Sequence, residues 1–225
     1  MSTAKTRLVI LISGTGSNME ALIQAASSGA VSGEIVAVFS NRPDARGLDT
    51  ARAAGIATEV VNHRDFADRE SFDAELAARI NSYAPDLVIL AGFMRILTTA
   101  FVRQFHGRLM NIHPSLLPKY PGLHTHQRAL EAGDCEAGAT VHFVTEELDG
   151  GPAIVQAPVA VREGDTEQTL AERVLVLEHQ IYPYAVELFC QGRLVINTQG
   201  VLLDDQLLPP GGISYPLQKP VRSEQ

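Results

Sequence analysis

The chain has 225 residues, and its 45% hydrophobic and 20% charged content is ordinary for a folded protein and excludes a disordered or fibrous chain. Its net charge of −8, without any run of Lys or Arg, argues against a surface that binds nucleic acid. No apolar stretch reaches the ~20 residues of a membrane-spanning helix, and the run Leu8–Ile12 is too short for the core of a signal peptide. Cys135 and Cys190 lack metal-ligand spacing, so we expect a protein of the reducing cytoplasm that acts without a membrane.

Short apolar runs alternate with helix-like segments over residues 1–112. The runs lack polar alternation, as strands buried on both faces do, and they are Leu8–Ile12, Ile35–Phe39, Thr58–Val61, Leu87–Leu90 and Leu109–Ile112. Between them, apolar residues recur at helical spacing in Asn18–Ala26, Gly47–Ala54 and Arg69–Tyr83. This alternation predicts βαβ units and a mostly parallel, Rossmann-like central sheet with helices on both faces.

The pattern changes after residue 112. Residues 113–126 contain three prolines and predict a loop. The whole stretch 113–136 is long for a connection, and we expect it to be mobile without ligand and to cover a site on binding. A short helix, two strands and a long helix should follow, at Thr125–Ala132, Thr140–Val144, Ile154–Val161 and Ala171–Leu188. Thr166 is the expected N-cap of the long helix, and Pro183 should kink or break it. From Gln199 onward we expect a short hairpin and a frayed end.

These elements predict one α/β domain over residues 1–225. A parallel half at 1–112 would carry the nucleotide site. A mixed or antiparallel extension at 113–198 would carry the catalytic site, and 199–225 would form a tail of unassigned role.

A glycine-rich turn, Ser13-Gly14-Thr15-Gly16-Ser17-Asn18, stands between the first strand and the first helix. Backbone N–H groups at such a helix start can bind a phosphate. It is neither a Walker loop nor a full dinucleotide fingerprint, because no Gly-Lys-Ser/Thr follows and Met19 occupies the third glycine position. The alternative is a tight turn with a capping function only.

Asn111 and His113 lie two residues apart at the end of the fifth predicted strand, so both side chains should point to the same side. An amide donor beside an imidazole suits chemistry at a carbonyl group, where Asn stabilises an oxyanion and His handles a proton. The alternative is a histidine that only satisfies hydrogen bonds at the strand end.

Asp149 precedes two glycines and by default occupies a turn. If the chain folds back, it could stabilise the charged form of His113, a proximity that sequence alone leaves open. His124 and His126 have only a weak metal spacing, and we expect no metal.

Four segments together resemble the folate-dependent formyltransferases. They are SGTGSN at 13–18, GFMRIL at 92–97, NIHPSLLPKYPGLHTH at 111–126 and ATVHFVTEELDGGP at 139–152. The resemblance spans about residues 7–190, and the unbroken PKYPGLHTH, the SGTGSN start and the short length favour the phosphoribosylglycinamide formyltransferases within that group. Thr15 and Thr140 are small departures, standing where Asn and Ser can occur.

The resemblance implies transfer of a formyl group from 10-formyltetrahydrofolate, the co-substrate, to the amine of 5′-phosphoribosylglycinamide in purine synthesis, without a metal. The catalytic residues it implies are Asn111, His113 and Asp149. It places the phosphoribosylglycinamide site at Gly16, Ser17, Asn18 and Glu178. It places the folate site at Arg69, Met94, Arg95, Ile96, Leu97, Thr145, Glu146, Glu147 and Leu148. Taken alone, Met94, Ile96 and Leu97 could equally be core residues.

Three other functions stay open at this point. A 10-formyltetrahydrofolate hydrolase has a similar core behind an extra N-terminal domain, for which a first strand near residue 7 leaves no room. A methionyl-tRNA formyltransferase adds a basic C-terminal RNA-binding domain, whereas this acidic chain ends about 35 residues after Cys190. A catalytically silent binding protein is the third. His142 could belong to the site or pack beneath it, and we favour packing beneath it. The partners expected are small molecules, and a homodimer is one candidate assembly.

Overall fold

The computed structural model of the chain describes residues 4–215, in which strands and helices alternate through the first half. The strands are Arg7–Ile12 (β1), Glu34–Ser40 (β2), Ala57–Val60 (β3), Leu87–Leu90 (β4), Leu109–His113 (β5), Glu136–Phe143 (β6), Ala153–Ala160 (β7), Leu194–Asn197 (β8), Gly200–Leu203 (β9), Gln206–Leu207 (β10) and Ile213–Ser214 (β11). The helices are Ser17–Ser28 (α1), Gly47–Ala53 (α2), Arg69–Ser82 (α3), Thr99–Gln104 (α4), Thr125–Glu131 (α5) and Glu167–Cys190 (α6), and His63–Asp65 forms a 3-10 turn.

An eight-stranded sheet forms the centre of the fold, in the order β11-β7-β6-β5-β4-β1-β2-β3. The pairs from β3 to β5 are all parallel, whereas β6 runs antiparallel to both β5 and β7. This confirms the predicted parallel half and its antiparallel extension. Because β1 lies between β2 and β4, the chain reverses direction across the sheet there, and the ends of β1 and β4 form the crevice where ligands of such sheets bind.

Apolar side chains cover both faces of the sheet. Alternate residues of β1 point to opposite sides, so that Leu8, Ile10 and Ile12 join one core and Val9 and Leu11 join the other. The first core packs against α1, α2, α5 and α6, and the second against α3 and α4. The prediction of helices on both faces is therefore confirmed.

The long helix α6 is not broken at Pro183, one of the two outcomes that the sequence predicted there. The helix continues without a break from Glu167 to Cys190, although Pro183 lacks the N–H that would bond to the previous turn. Apolar side chains on both sides of the proline, including Val174, Ile181 and Val186, are fully buried. This packing holds the helix together across the missing hydrogen bond. Thr166 is the N-cap, as predicted, and accepts the Thr169 N–H.

Two further differences concern elements that the sequence pattern missed or shortened. Helix α4 was not predicted because it is only six residues long, and Thr98 caps it. Strand β6 begins at Glu136 instead of Thr140, in a stretch rich in Ala and Gly. At Gly138 a Cβ atom would lie 2.2 Å from the Ala157 carbonyl oxygen of β7, so only glycine fits this close pairing.

The tail is more extensive than a hairpin. Strands β8, β9 and β10 form a separate three-stranded antiparallel sheet that begins at Leu194, before the predicted start at Gln199. Strand β11 then returns to the main sheet and pairs with β7. The predicted frayed end falls on residues 216–225, outside the described residues.

Candidate active site

The turn after β1 leads into helix α1 at the crevice. Gly16 adopts a left-handed conformation with a φ of 74°, which glycine tolerates without strain. No side chain caps α1, so the N–H groups of its first turn stay available. Gly47 packs directly against the turn, because a Cβ there would lie 3.0 Å from the Thr15 carbonyl oxygen. The geometry suits a phosphate at Gly16, Ser17 and Asn18.

Asn18 is connected to a residue 160 positions away in the chain. Its Nδ2 donates to Glu178 Oε2 at 2.7 Å, and both side chains are buried. Burial raises the pKa of Glu178, and the hydrogen bond from Asn18 opposes that rise. The Oδ1 atom of Asn18 is buried without a partner among the described residues. Asn18 Oδ1 and the Glu178 carboxylate thus form a polar pocket beside the start of α1. Such a pocket suits a sugar phosphate.

Asn111 and His113 both lie at the end of β5, beside the crevice. His113 is 6% exposed, and its Nε2 donates to the Tyr120 carbonyl oxygen at 2.8 Å. The Tyr120 carbonyl belongs to the loop that follows β5, which therefore orients the imidazole ring.

Asp149 completes this cluster from the turn between β6 and β7. Its Oδ2 lies 3.5 Å from His113 Nδ1 and accepts the Gly122 N–H at 2.8 Å. Both nitrogens of the His113 ring thus face oxygen atoms, which hold the ring from two sides. The proximity of Asp149 and His113, which sequence alone left open, is present in the structure.

Positive backbone φ angles concentrate around this cluster. Asp149, Tyr120 and His124 have φ values of 51°, 55° and 58°. Such conformations cost about 1–3 kcal/mol each for residues other than glycine and are retained where surrounding contacts hold them. They place the carboxylate of Asp149 and the carbonyl of Tyr120 on opposite sides of the His113 ring.

His142 lies directly beneath the cluster, on β6 opposite Asn111. Burial lowers the pKa of His142 to about 4, so the ring is neutral at pH 7. Its Nδ1 donates to the Phe143 carbonyl oxygen at 3.0 Å, which leaves Nε2 as the acceptor for Asn111 Nδ2 at 3.2 Å. His142 therefore fixes which way the Asn111 amide points, and the second N–H of that amide stays free for a ligand.

The 94–97 segment, Met94 to Leu97, follows β4 on the other side of the crevice. Met94 and Ile96 are 70% and 60% exposed, so they are not core residues, whereas Leu97 packs partly against the second core. The backbone groups of Arg95, Ile96 and Leu97 make no hydrogen bond to other described residues. Exposed apolar side chains beside free backbone donors and acceptors suit a flat ring with polar edges.

The other candidate folate residues lie on two elements near this segment. Arg69 is exposed at the start of α3, and Thr145 is half-buried after β6. Leu148 is 55% exposed, and Glu147 is exposed beside it. Glu146 forms an ion pair with Arg103 of α4 at 2.6 Å, so its carboxylate faces that arginine.

Sequence reasoning missed the backbone groups of the loop that hold the catalytic cluster. The Tyr120 carbonyl and the Gly122 N–H bind His113 and Asp149, and backbone groups leave no signal in a residue pattern. Thr140 was noted only as a departure from the family. Its hydroxyl donates to the Ser115 carbonyl oxygen and accepts the Leu117 N–H, which anchors the same loop to β6.

Across residues 4–215, no three His, Cys, Asp or Glu side chains are arranged to hold a metal ion. Within the same range, every helix is too short or too polar to cross a membrane.

Comparison with known proteins gives consistent matches along nearly the whole chain. Residues 6–186 match the family model described as formyl transferase. The phosphoribosylglycinamide formyltransferase of Escherichia coli K12 is 56% identical over 91% of this chain and 97% of its own length. A human trifunctional purine biosynthetic protein is 45% identical over 87% of this chain, which corresponds to 19% of that protein.

A solved structure of the phosphoribosylglycinamide formyltransferase of Coxiella burnetii superimposes with a TM-score of 0.90 and is 48% identical. The match covers 95% of this chain and all of that one. The fold, the family model and the identity over full-length relatives agree, and the chain belongs to the formyl transferase family, among its phosphoribosylglycinamide formyltransferases.

Proposed function

We propose that this enzyme transfers the formyl group of 10-formyltetrahydrofolate to the amine of 5′-phosphoribosylglycinamide in purine biosynthesis. The observation that carries the proposal is the convergence of Asn111, His113 and Asp149 in a chain of the formyl transferase family, with 3.5 Å between His113 Nδ1 and Asp149 Oδ2. An amide donor and a carboxylate-paired imidazole are the groups that acyl transfer to an amine requires.

The proposed reaction is direct. The neutral amine of the acceptor attacks the formyl carbon, and a C–N bond forms while the carbonyl oxygen becomes an oxyanion. The free N–H of Asn111 and the positive charge of His113 stabilise that oxyanion. The tetrahedral intermediate collapses as the bond from the formyl carbon to N10 of the folate breaks. The amine loses one proton and N10 gains one, so charge and atoms balance.

Asp149 has two proposed roles in this scheme. Its carboxylate keeps His113 charged, and it positions a water that carries the proton from the attacking amine towards N10. Because His113 Nε2 is engaged by the Tyr120 carbonyl in this structure, direct contact with the oxyanion requires the loop to shift when substrates bind. Otherwise His113 acts through its charge alone.

The acceptor is proposed to bind along α1 and α6. Gly16, Ser17 and Asn18 hold its phosphate through backbone N–H groups and the positive end of α1. Glu178, which is 7% exposed and bonded to Asn18, faces the ribose and glycinamide portion. A protein with a net charge of −8 can bind this anion because the attraction is local.

The folate is proposed to bind between the 94–97 segment and the turn at Thr145, Glu146, Glu147 and Leu148. Exposed Met94, Ile96 and Leu148 would contact the pterin faces, and the free backbone groups of Arg95 and Leu97 its polar edges. Arg69 would contribute a positive charge at the outer end. The site requires no metal in this proposal.

We further propose that residues 1–112 form the nucleotide-binding half and 113–198 the catalytic half of one functional unit. The net charge of −8 supports small-molecule partners over nucleic acid, and the cytoplasm is the proposed compartment, without a membrane. A homodimer is the assembly to test, and light scattering at working concentration distinguishes it from a monomer.

Replacement of His113 or Asn111 by Ala tests the catalytic assignment. Loss of one oxyanion-stabilising group lowers kcat by about 10²–10³. We expect that loss in each variant while the circular dichroism spectrum and the affinity for the nucleotide stay unchanged. Near-normal turnover of a folded His113→Ala enzyme would contradict the assignment.

A further inference from the structure

The 94–97 segment has no regular secondary structure, and yet side chains from outside it hold both of its ends. At the first end, Ser13 Oγ accepts the Met94 N–H at 2.7 Å. At the second end, Asp73 Oδ2 accepts the Thr98 N–H at 2.5 Å. Between these two contacts, the backbone groups of Arg95, Ile96 and Leu97 are free of partners among the described residues.

Ser13 connects this segment to the turn assigned to the acceptor's phosphate. Its hydroxyl accepts from Met94 and donates to Asn41 Oδ1 at 2.7 Å, so both of its hydrogen-bonding functions are used. Ser13 and Asn41 are 6% and 2% exposed. Its own backbone N–H donates to the Gly92 carbonyl oxygen at 3.2 Å. The ends of β1 and β4 are thereby joined by side chain and backbone together.

Asp73 connects the segment to α3. The residue is 2% exposed and lies one helical turn after Arg69, so both belong to the same face of the helix. Burial raises the pKa of Asp73, while the Thr98 N–H and the charges of Arg69 and Arg95 oppose the rise. Its second oxygen, Oδ1, is buried and has no hydrogen-bond partner within residues 4–215, and the same holds for Nε of Arg95.

A buried carboxylate is expensive, because it loses the hydration it has in water. A capping role for α4 does not explain Asp73, since Thr98 itself supplies that cap through its own hydroxyl. The Asp73 carboxylate instead binds the backbone where the segment ends. Phe72, its neighbour on α3, contacts Arg95 through a cation–π interaction with 5.9 Å from the guanidinium carbon to the ring centre.

We propose that Ser13 and Asp73 are positioning residues for folate binding: they fix the two ends of the 94–97 segment so that its free backbone groups keep the spacing that the pterin requires. This inference rests on the proposed function, which assigns that segment to the folate. Neither side chain is proposed to touch either substrate. Both act through the backbone that they hold.

The test compares the KM values for the two substrates in purified variants. In Asp73→Ala the buried Thr98 N–H loses its acceptor, and in Ser13→Ala the partly buried Met94 N–H loses its acceptor. We expect the KM for 10-formyltetrahydrofolate to rise about tenfold to hundredfold in each variant. The KM for phosphoribosylglycinamide should change less than threefold in Asp73→Ala. In Asp73→Asn, the amide oxygen can still accept from Thr98, so the folate KM should return to within about threefold of the unmodified enzyme.

A matched control separates this role from general stability. Asp165 also accepts a backbone N–H, from Arg162 at 2.7 Å, but it lies before α6 and does not contact the 94–97 segment. Asp165→Ala should lower the melting temperature without a selective rise in the folate KM. Titration calorimetry with tetrahydrofolate measures the same loss of affinity without turnover.

Ile96→Asp separates failure of this inference from failure of the folate assignment. Ile96 is exposed, so the fold tolerates the change, and a charge there should weaken folate binding if the segment contacts it. If Ile96→Asp raises the folate KM but Ser13→Ala and Asp73→Ala leave it within twofold, the inference is overturned. If none of the three variants changes the folate KM, the assignment of the segment to folate is itself wrong.

Discussion

Replacing Asp149 by Asn removes the charge beside His113 and little else. The amide oxygen of Asn can still accept the Gly122 N–H that Asp149 Oδ2 accepts at 2.8 Å, so the loop contact is kept. Two unit charges 3.5 Å apart attract each other by about 5 kcal/mol at the effective dielectric constant of about 20 that suits protein sites. Part of this attraction is offset by desolvation, and we expect a loss of about 4 kcal/mol in transition-state stabilisation, or about 10³-fold in kcat.

Steady-state formyl transfer, followed at the folate chromophore, measures this loss. The KM for phosphoribosylglycinamide should change less than threefold, because Asp149 lies outside the proposed nucleotide site. Asp134→Asn is the matched control: Asp134 binds Lys119 and the Tyr120 hydroxyl of the same loop, at 3.0 and 2.9 Å, but does not face His113. A kcat within threefold of the unmodified enzyme in Asp149→Asn would refute the pairing argument.

Three further predictions follow from other buried groups and from the loop. Burial raises the pKa of Glu178, so the folded state holds its proton more tightly than the unfolded state, and the free energy of unfolding falls as pH rises above about 4.5 towards the raised value. Glu178→Gln should remove this fall, so the variant should be more stable than the unmodified enzyme in urea titrations at pH 7. Equal stability of the two proteins would contradict the argument. The KM of the variant for phosphoribosylglycinamide should rise at least tenfold. Tyr182→Phe should lower the free energy of unfolding by about 1–3 kcal/mol. The reason is that the fully buried hydroxyl lies 2.9 and 3.0 Å from the carbonyl oxygens of Leu90 and Met110. An unchanged urea midpoint would contradict this prediction. Limited proteolysis should cut residues 113–136 more slowly when both substrates are present, and equal rates with and without them would argue against a lid.

Much of the fold follows from local patterns in the sequence. Continuous apolar runs predicted the strands of the parallel half to within one residue at most ends, as at Leu87–Leu90. The central strands β1 and β4 are buried on both faces, so burial alone selects most of their residues, whereas the edge strand β3 is only partly buried. The two elements whose course differs from the prediction depend on distant partners. The early start of β6 needs β7 beside its Ala- and Gly-rich residues, and α6 passes Pro183 because the core holds it.

The site was predictable where its residues lie close together in the chain. Asn111 and His113 share one strand, and Gly16, Ser17 and Asn18 share one turn. The contact between Asn18 and Glu178 and that between His113 and Asp149 join distant positions. The resemblance to a family placed Asn18 and Glu178 in one site, and the sequence raised the proximity of His113 and Asp149 but left it open. For His142 the sequence favoured packing beneath the site, but its role depends on the hydrogen bond across β5 and β6 that fixes the Asn111 amide.

The measurement that tests the central claim most directly is formyl transfer by the purified enzyme from 10-formyltetrahydrofolate, with and without phosphoribosylglycinamide. The account predicts that tetrahydrofolate forms only when the acceptor is present, in a 1:1 ratio with the formylated glycinamide product. Formate released at the same rate without the acceptor, or no turnover in a folded sample that binds both substrates, would contradict it.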